Sequence, residues 1–264
     1  RLADVNADGL VDIINTTGAS GQTVYINKDG GKTFATSSAW GTIPLPFICD
    51  NDVSGCSSSG DDAGGRFVDI NGDGVTDVVR ADGISGHGSA VKSTYLGNAI
   101  TPADMLVGIS STQIGSTTIG YKSAAEYVDS SGNELNPQLP INFQTVETIT
   151  INSRASQGVV GTTTYSYGGG EYYYASEFDR KFAGFATTTV TDPLGNVTKT
   201  YLHQGNGSQT SIGEYNDSRA KIGKPYRVEV YNSTNNLYTK KMTKWEDVSL
   251  SNGRSFVLKT RELE

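Results

Sequence analysis

The stretch Asp69-Ile70-Asn71-Gly72-Asp73-Gly74-Val75-Thr76-Asp77 sets oxygen-bearing side chains at every second position, follows the third with Gly, and closes on an acid. Calcium takes roughly six to eight oxygens at about 2.3–2.6 Å, so a short coil must turn tightly to aim several carboxylates and a carbonyl at one point. Gly74 permits the turn, because glycine accepts positive φ without a Cβ clash. By analogy with the helix-flanked calcium loop, Asp69, Asn71 and Asp73 supply side-chain oxygens, Val75 its main-chain carbonyl, and Asp77 the closing carboxylate. The closing acid comes at the ninth position of the stretch and not the twelfth. The flanks, Arg66-Phe67-Val68 and Val78-Val79, are short and partly β-branched, which predicts strands on both sides in place of helices.

Outward from this loop, the same ligand order stands at the start of the chain. Asp4, Asn6, Asp8, the carbonyl of Leu10, and Asp12 repeat it, with Gly9 in the turn. The first copy is followed by a strand at Val24-Tyr25-Ile26-Asn27, a turn at Gly30-Gly31, and Thr33-Phe34. Repeats of more than about forty residues, each built of a few strands, are the signature of propellers and other stacked β-arrays.

Composition agrees with an all-β protein. The chain has 264 residues, 36% of them hydrophobic and 19% charged, with 32 Gly and 14 Tyr. That is ordinary for folded domains, and no long stretch carries helical periodicity. The net charge of −7 resides partly in the two loops and argues against a nucleic-acid partner. No apolar run approaches the eighteen or so residues of a spanning helix, so no membrane span is expected. The chain opens at Arg1, close to a loop ligand, and both ends read as those of a fragment of a longer polypeptide.

Residues 3–14, 24–27 and 67–79 resemble FG-GAP (VCBS-type) repeats, which form calcium-binding β-propeller blades. The second half narrows this. Met105 to Ser110, Thr117 to Tyr121, Thr164 to Gly169, Phe178 to Phe185 and Gly223 to Val228 occur in series, and their order resembles the middle region of the B component of insecticidal Tc toxin complexes and of related Rhs-type proteins. The resemblance implies an all-β fold in two parts: partial propeller blades with calcium loops over residues 1–103, then the antiparallel sheet of an Rhs-like β-shell over residues 104–264. It also implies Ca2+ as the bound ion and a secreted, non-enzymatic scaffold. In the family, the propeller docks on a pore-forming toxin subunit, and the shell is a hollow cocoon enclosing a toxic C-terminal polypeptide. Two readings of other classes stand beside it: an extracellular adhesin or surface-recognition module, and a polysaccharide-active enzyme on a propeller.

Along the chain, Trp40 to Asp62 reads as a long Ser-, Gly- and Asp-rich connection holding Cys49 and Cys56. Their spacing admits a small disulfide loop, worth roughly 2–3 kcal/mol in an oxidising compartment, or two unpaired thiols. Gly168-Gly169-Gly170 is expected to break the strand that precedes it; no Gly-Lys-Ser/Thr follows, so it is not a phosphate loop. Asp192-Pro193-Leu194-Gly195-Asn196 predicts a tight hairpin turn. Pro140 is expected to begin a strand. Pro225 to Tyr231 alternates, with Tyr226, Val228 and Val230 on one face and Arg227 and Glu229 on a wet one. Lys240, Lys241 and Lys244 suggest a solvated sheet edge. His87 and His203 stand near no nucleophile turn, and both are read as structural.

Overall fold

The computed structural model describes residues 1–6, 8–15, 23–28, 33–37, 47–49, 60–82, 91–97, 105–111, 115–153, 160–250 and 255–264. The described residues form antiparallel sheets with three short 3-10 turns and no α-helix, and no helix among them is long and apolar enough to cross a membrane. The chain divides into two compact units, Arg1–Met105 and Leu106–Glu264.

Among the described residues the first unit holds two small sheets. One runs β1 (Leu2–Ala3), β2 (Asp12–Asn15), β3 (Thr23–Lys28), β4 (Thr33–Ser37); the other runs β5 (Gly65–Val68), β6 (Asp77–Asp82), β7 (Val91–Tyr95). Each Asp-rich loop joins the first two strands of its sheet, with Ala3 opposite Asp12 in one and Val68 opposite Asp77 in the other. Alternation in β2 turns Asp12 and Ile14 inward and leaves Ile13 and Asn15 exposed, as a pleated strand with one covered face requires. Val5, Ile14, Val24, Phe47 and Val78 make one core drawn from both sheets, with Ala3, Ile26 and Phe67 packed against it. The rings of Phe47 and Phe67 stack at 4.6 Å. The Thr76 hydroxyl donates to the carbonyl of Asp4, tying the second loop to the first.

The second unit is a nine-stranded meander in which sequence neighbours are sheet neighbours throughout: β8 (Gly108–Ser111), β9 (Gly115–Ser123), β10 (Gln144–Ser153), β11 (Val160–Ser176), β12 (Asp179–Thr191), β13 (Val197–Leu202), β14 (Pro225–Tyr231), β15 (Leu237–Ser249) and β16 (Ser255–Leu263). Residues between β9 and β10 fold over one face. Ser123 caps a 3-10 turn, Ala124–Glu126, with Glu126 reaching back to the Ser123 amide. There Tyr127 meets Tyr167 edge-on at 5.6 Å, and Phe185 lies 4.9 Å from Tyr167.

Three turns share one chemistry. Asp129 accepts from the amides of Ser131 and Asn133 at 2.8 and 2.9 Å; Asp192 accepts from Leu194 and Asn196, both at 2.8 Å; Asn232 accepts from Thr234 and Asn236 at 3.1 and 2.9 Å. The fourth residue of each is left-handed: Gly132 at φ 82°, Gly195 at 83°, and Asn235 at 62°. Glycine enters that region without the steric penalty an L side chain incurs. Asn235→Gly is therefore expected to stabilise the protein by about 0.5 kcal/mol, read as a raised denaturation midpoint.

Four sequence expectations for this unit need correcting. Gly168-Gly169-Gly170 does not break the strand; β11 runs through it, with Gly168 opposite Thr187 and Gly170 opposite Phe185. Neighbouring groups hold its backbone there: Gly169 donates to the Leu135 carbonyl at 2.8 Å and Gly170 to Asn136 Oδ1 at 2.8 Å. A Cβ on Gly169 would sit 2.7 Å from that of Ala186, so only glycine fits. The face carrying Glu229 is not wet, since Glu229 is 2% exposed. The strand with the lysines is not an edge: β15 pairs with both β14 and β16, and Lys241 and Lys244 make ion pairs with Glu262 and Glu246. Finally, the strand expected from Pro140 begins at Gln144.

Candidate functional site

The two Asp-rich loops are superposable in their bonding, although no long-range constraint in the sequence demands it. In the first, the amides of Asp8 and Gly9 donate to the two oxygens of Asp4 at 3.1 and 2.8 Å, Asp8 also donates to Asn6 Oδ1 at 3.2 Å, and Leu10 donates to Asp8 Oδ1 at 2.8 Å. In the second, Asp73 and Gly74 donate to the two oxygens of Asp69 at 3.1 and 2.9 Å, Asp73 to Asn71 Oδ1 at 3.2 Å, and Val75 to Asp73 Oδ1 at 2.8 Å. Gly9 and Gly74 hold φ of 79° and 83°, the left-handed turn that their place after the third oxygen-bearing residue calls for.

Both closing acids are fully buried. Asp12 accepts from the amides of Val5 at 3.0 Å and Asn27 at 2.8 Å; Asp77 accepts from Ile70 at 2.8 Å and Gly97 at 2.7 Å. Each therefore fastens the head of its own loop to a segment beyond it, a role the sequence alone did not reveal. Burial pushes the Asp12 carboxyl up, the amides of Asn27 and Val5 oppose that, and the charges of Asp8 and Asp4 add to the rise.

The donor set fits a hard cation. Each loop offers three carboxylates, an amide oxygen and a candidate main-chain carbonyl at Leu10 or Val75, with oxygen donors only. A carboxylate has about four lone-pair directions, so the two amide bonds on Asp12 or Asp77 leave others for an ion. Elsewhere in the unit, Cys49 is buried and disulfide-bonded, while Cys56, the other half of the expected pair, lies outside the described residues, as does His87.

Sequence reasoning passed over a different cluster. His203, Glu214 and Asp217 bring ligand-type atoms within 4.8 Å of one another among the described residues. No short motif marks it, because the two acids stand in the irregular connection between β13 and β14.

No curated protein and no solved structure matches the chain. The family model of the insecticide toxin TcdB middle/N-terminal region matches residues 44–206, more than half of the chain and reaching into both units. The chain belongs to the insecticide toxin TcdB middle/N-terminal region family, and it is a toxin-complex component of all-β, antiparallel build.

Proposed function

We propose that the chain is a non-enzymatic scaffold segment of a secreted Tc B-type or Rhs-type protein. Residues 1–103 act as a calcium-stiffened FG-GAP/VCBS propeller segment that docks on a pore-forming toxin subunit. Residues 104–264 begin a β-shell that encloses a toxic C-terminal polypeptide. The observation that carries this reading is the unbroken order of nine antiparallel strands, each paired to its sequence neighbour, within a chain of the toxin family. A sheet of that kind extends by adding hairpins at its edge, which suits a wall more than a catalytic cleft.

Calcium would be held by Asp4, Asn6, Asp8, Leu10 and Asp12 in one loop and by Asp69, Asn71, Asp73, Val75 and Asp77 in the other. Bound there, it supplies positive charge against the gathered carboxylates. This chain's own part is to hold the loops in the left-handed turn and fasten their ends to the sheets. Because the ion binds the folded loop and not the open chain, free calcium stabilises by mass action, by about 2.7 kcal/mol at a hundredfold excess over the dissociation constant. Titration calorimetry is expected to count two calcium ions per chain, and chelator to lower the unfolding midpoint. No heat and no shift would remove calcium from the reading. Co-elution of the parent protein with the pore-forming subunit, lost when residues 1–103 are deleted, tests docking separately.

A further inference from the structure

We propose that His203, Glu214 and Asp217 bind one divalent transition-metal ion of the zinc class, at a site independent of the two Asp-rich loops. Nδ1 of His203 lies 2.8 Å from Glu214 Oε1 and 3.1 Å from Asp217 Oδ1. The three side chains are 1%, 4% and 0% exposed. Zinc bonds to imidazole nitrogen and carboxylate oxygen run about 2.0–2.2 Å, which sets neighbouring ligand atoms roughly 3 Å apart. The two spacings from Nδ1 are of that size, and the three ligand atoms lie within 4.8 Å of one another. One imidazole with two carboxylates is a donor set for zinc and its first-row neighbours, and not for thiolate-seeking ions.

The carboxylates are aimed before any ion arrives. Glu214 Oε2 accepts from the Gln209 amide at 2.8 Å, and Asp217 Oδ2 from the Asn206 amide at 2.9 Å, so each presents its other oxygen to the imidazole. Outer partners of this kind fix ligand direction in metal sites. A single hydrogen on Nδ1 can serve both acids only as a shared, bifurcated bond, weaker toward each. An ion at the meeting point bonds all three. Lys221, buried in the same connection, gives its ammonium to the carbonyls of Tyr215 and Asn216 and leaves the carboxylates to the imidazole.

A separate observation concerns unsatisfied atoms. Among the described residues three buried side-chain polar atoms lack a partner, and two of them, His203 Nε2 and Ser218 Oγ, belong to this cluster or adjoin it in the chain. Buried polar groups are almost always paired; Nε2 lies across the ring from Nδ1, so it calls for a water or polar partner of its own and leaves Nδ1 as the nitrogen that meets the ion. The ion would stitch the connection carrying Glu214 and Asp217 to the end of β13.

The test is zinc titration by calorimetry on the full chain in buffer saturated with calcium, which keeps the Asp-rich loops out of the measurement and lets the two readings fail separately. One zinc per chain is expected, binding in the micromolar range or tighter, with cobalt giving visible absorption of a low-coordinate site. Glu214→Gln and Asp217→Asn, checked for folding by circular dichroism, should each weaken zinc at least about tenfold. Should a variant not fold, the wild type decides: zinc must raise its unfolding midpoint in the same calcium-saturated buffer. Absence of uptake, uptake only at millimolar zinc, uptake without a rise in the midpoint, or unchanged affinity in the folded variants overturns the site.

Discussion

Glu229→Ala is expected to destabilise the second unit by about 3 kcal/mol, measured by denaturant unfolding followed through the tryptophans. Glu229 accepts from Arg227 through both Nε, at 2.9 Å, and Nη2, from Tyr231 OH at 2.9 Å, and from Tyr201 OH at 3.1 Å. The Arg227 guanidinium also lies over the Tyr201 ring, 4.8 Å from its centroid. Removing the carboxylate leaves a guanidinium whose side chain is 17% exposed with its Nη1 bond to the Ile212 carbonyl at 3.2 Å and no counter-charge, and takes the acceptor from two phenol hydroxyls. Breaking a buried pair by deleting one partner costs roughly 3–5 kcal/mol, and the residual exposure of Arg227 places this case at the lower end.

The same network sets a pH dependence. Burial pushes the Glu229 carboxyl up, but hydrogen bonds from Arg227, Tyr231 and Tyr201 outweigh it and hold the group below its ordinary value of 4.5. For an acid whose folded value is depressed, the stabilisation is complete above the unfolded value and is lost as pH falls toward the folded one. The stability gap between wild type and Glu229→Gln should thus be constant near neutrality and shrink below about pH 4.5. A gap that widens on acidification would contradict the network.

Glu229 also marks where sequence reading stops. Alternation along β14 correctly places Arg227 and Glu229 on one face, yet it cannot say that Tyr201, 28 residues upstream, closes over the charge. Gly168 to Gly170 is similar: three glycines in a row signal a break, and it takes the Leu135 carbonyl and the side-chain oxygen of Asn136, the latter 34 residues from its partner, to show why the backbone continues. The turn at Asp192 was legible because Pro and Gly announce it. Its twin at Asn232 was not, since Asn235 takes the left-handed position without a glycine to give it away. The Asp-rich loops were legible for the opposite reason. Their oxygen-bearing residues lie within nine positions, so local spacing carries the turn geometry, and only the attachment of Asp12 and Asp77 to distant amides needed the fold.

That attachment separates two kinds of acid within one loop, and a pair of substitutions tells them apart. Asp77 is fully buried and holds the amides of Ile70 and Gly97, the latter 20 residues on. Asp77→Ala leaves both amides without that acceptor, at roughly 1–3 kcal/mol each, so a loss of about 3 kcal/mol is expected with or without calcium. Asp73 is half-buried and accepts from the nearby Val75 amide, a bond that an Asn oxygen can keep, and from Nδ2 of exposed Asn71, a surface bond whose loss costs little. Asp73→Asn should therefore change stability by less than about 0.5 kcal/mol in chelator, yet lose most of the calcium-dependent gain at the second loop. Calorimetry on Asp73→Asn should then count one strong ion in place of two. If both variants were silent in chelator, Asp77 would be a ligand and nothing more; if both were equally damaging there, the loop would be held by its own hydrogen bonds, and the ion would add nothing to the sheet it joins.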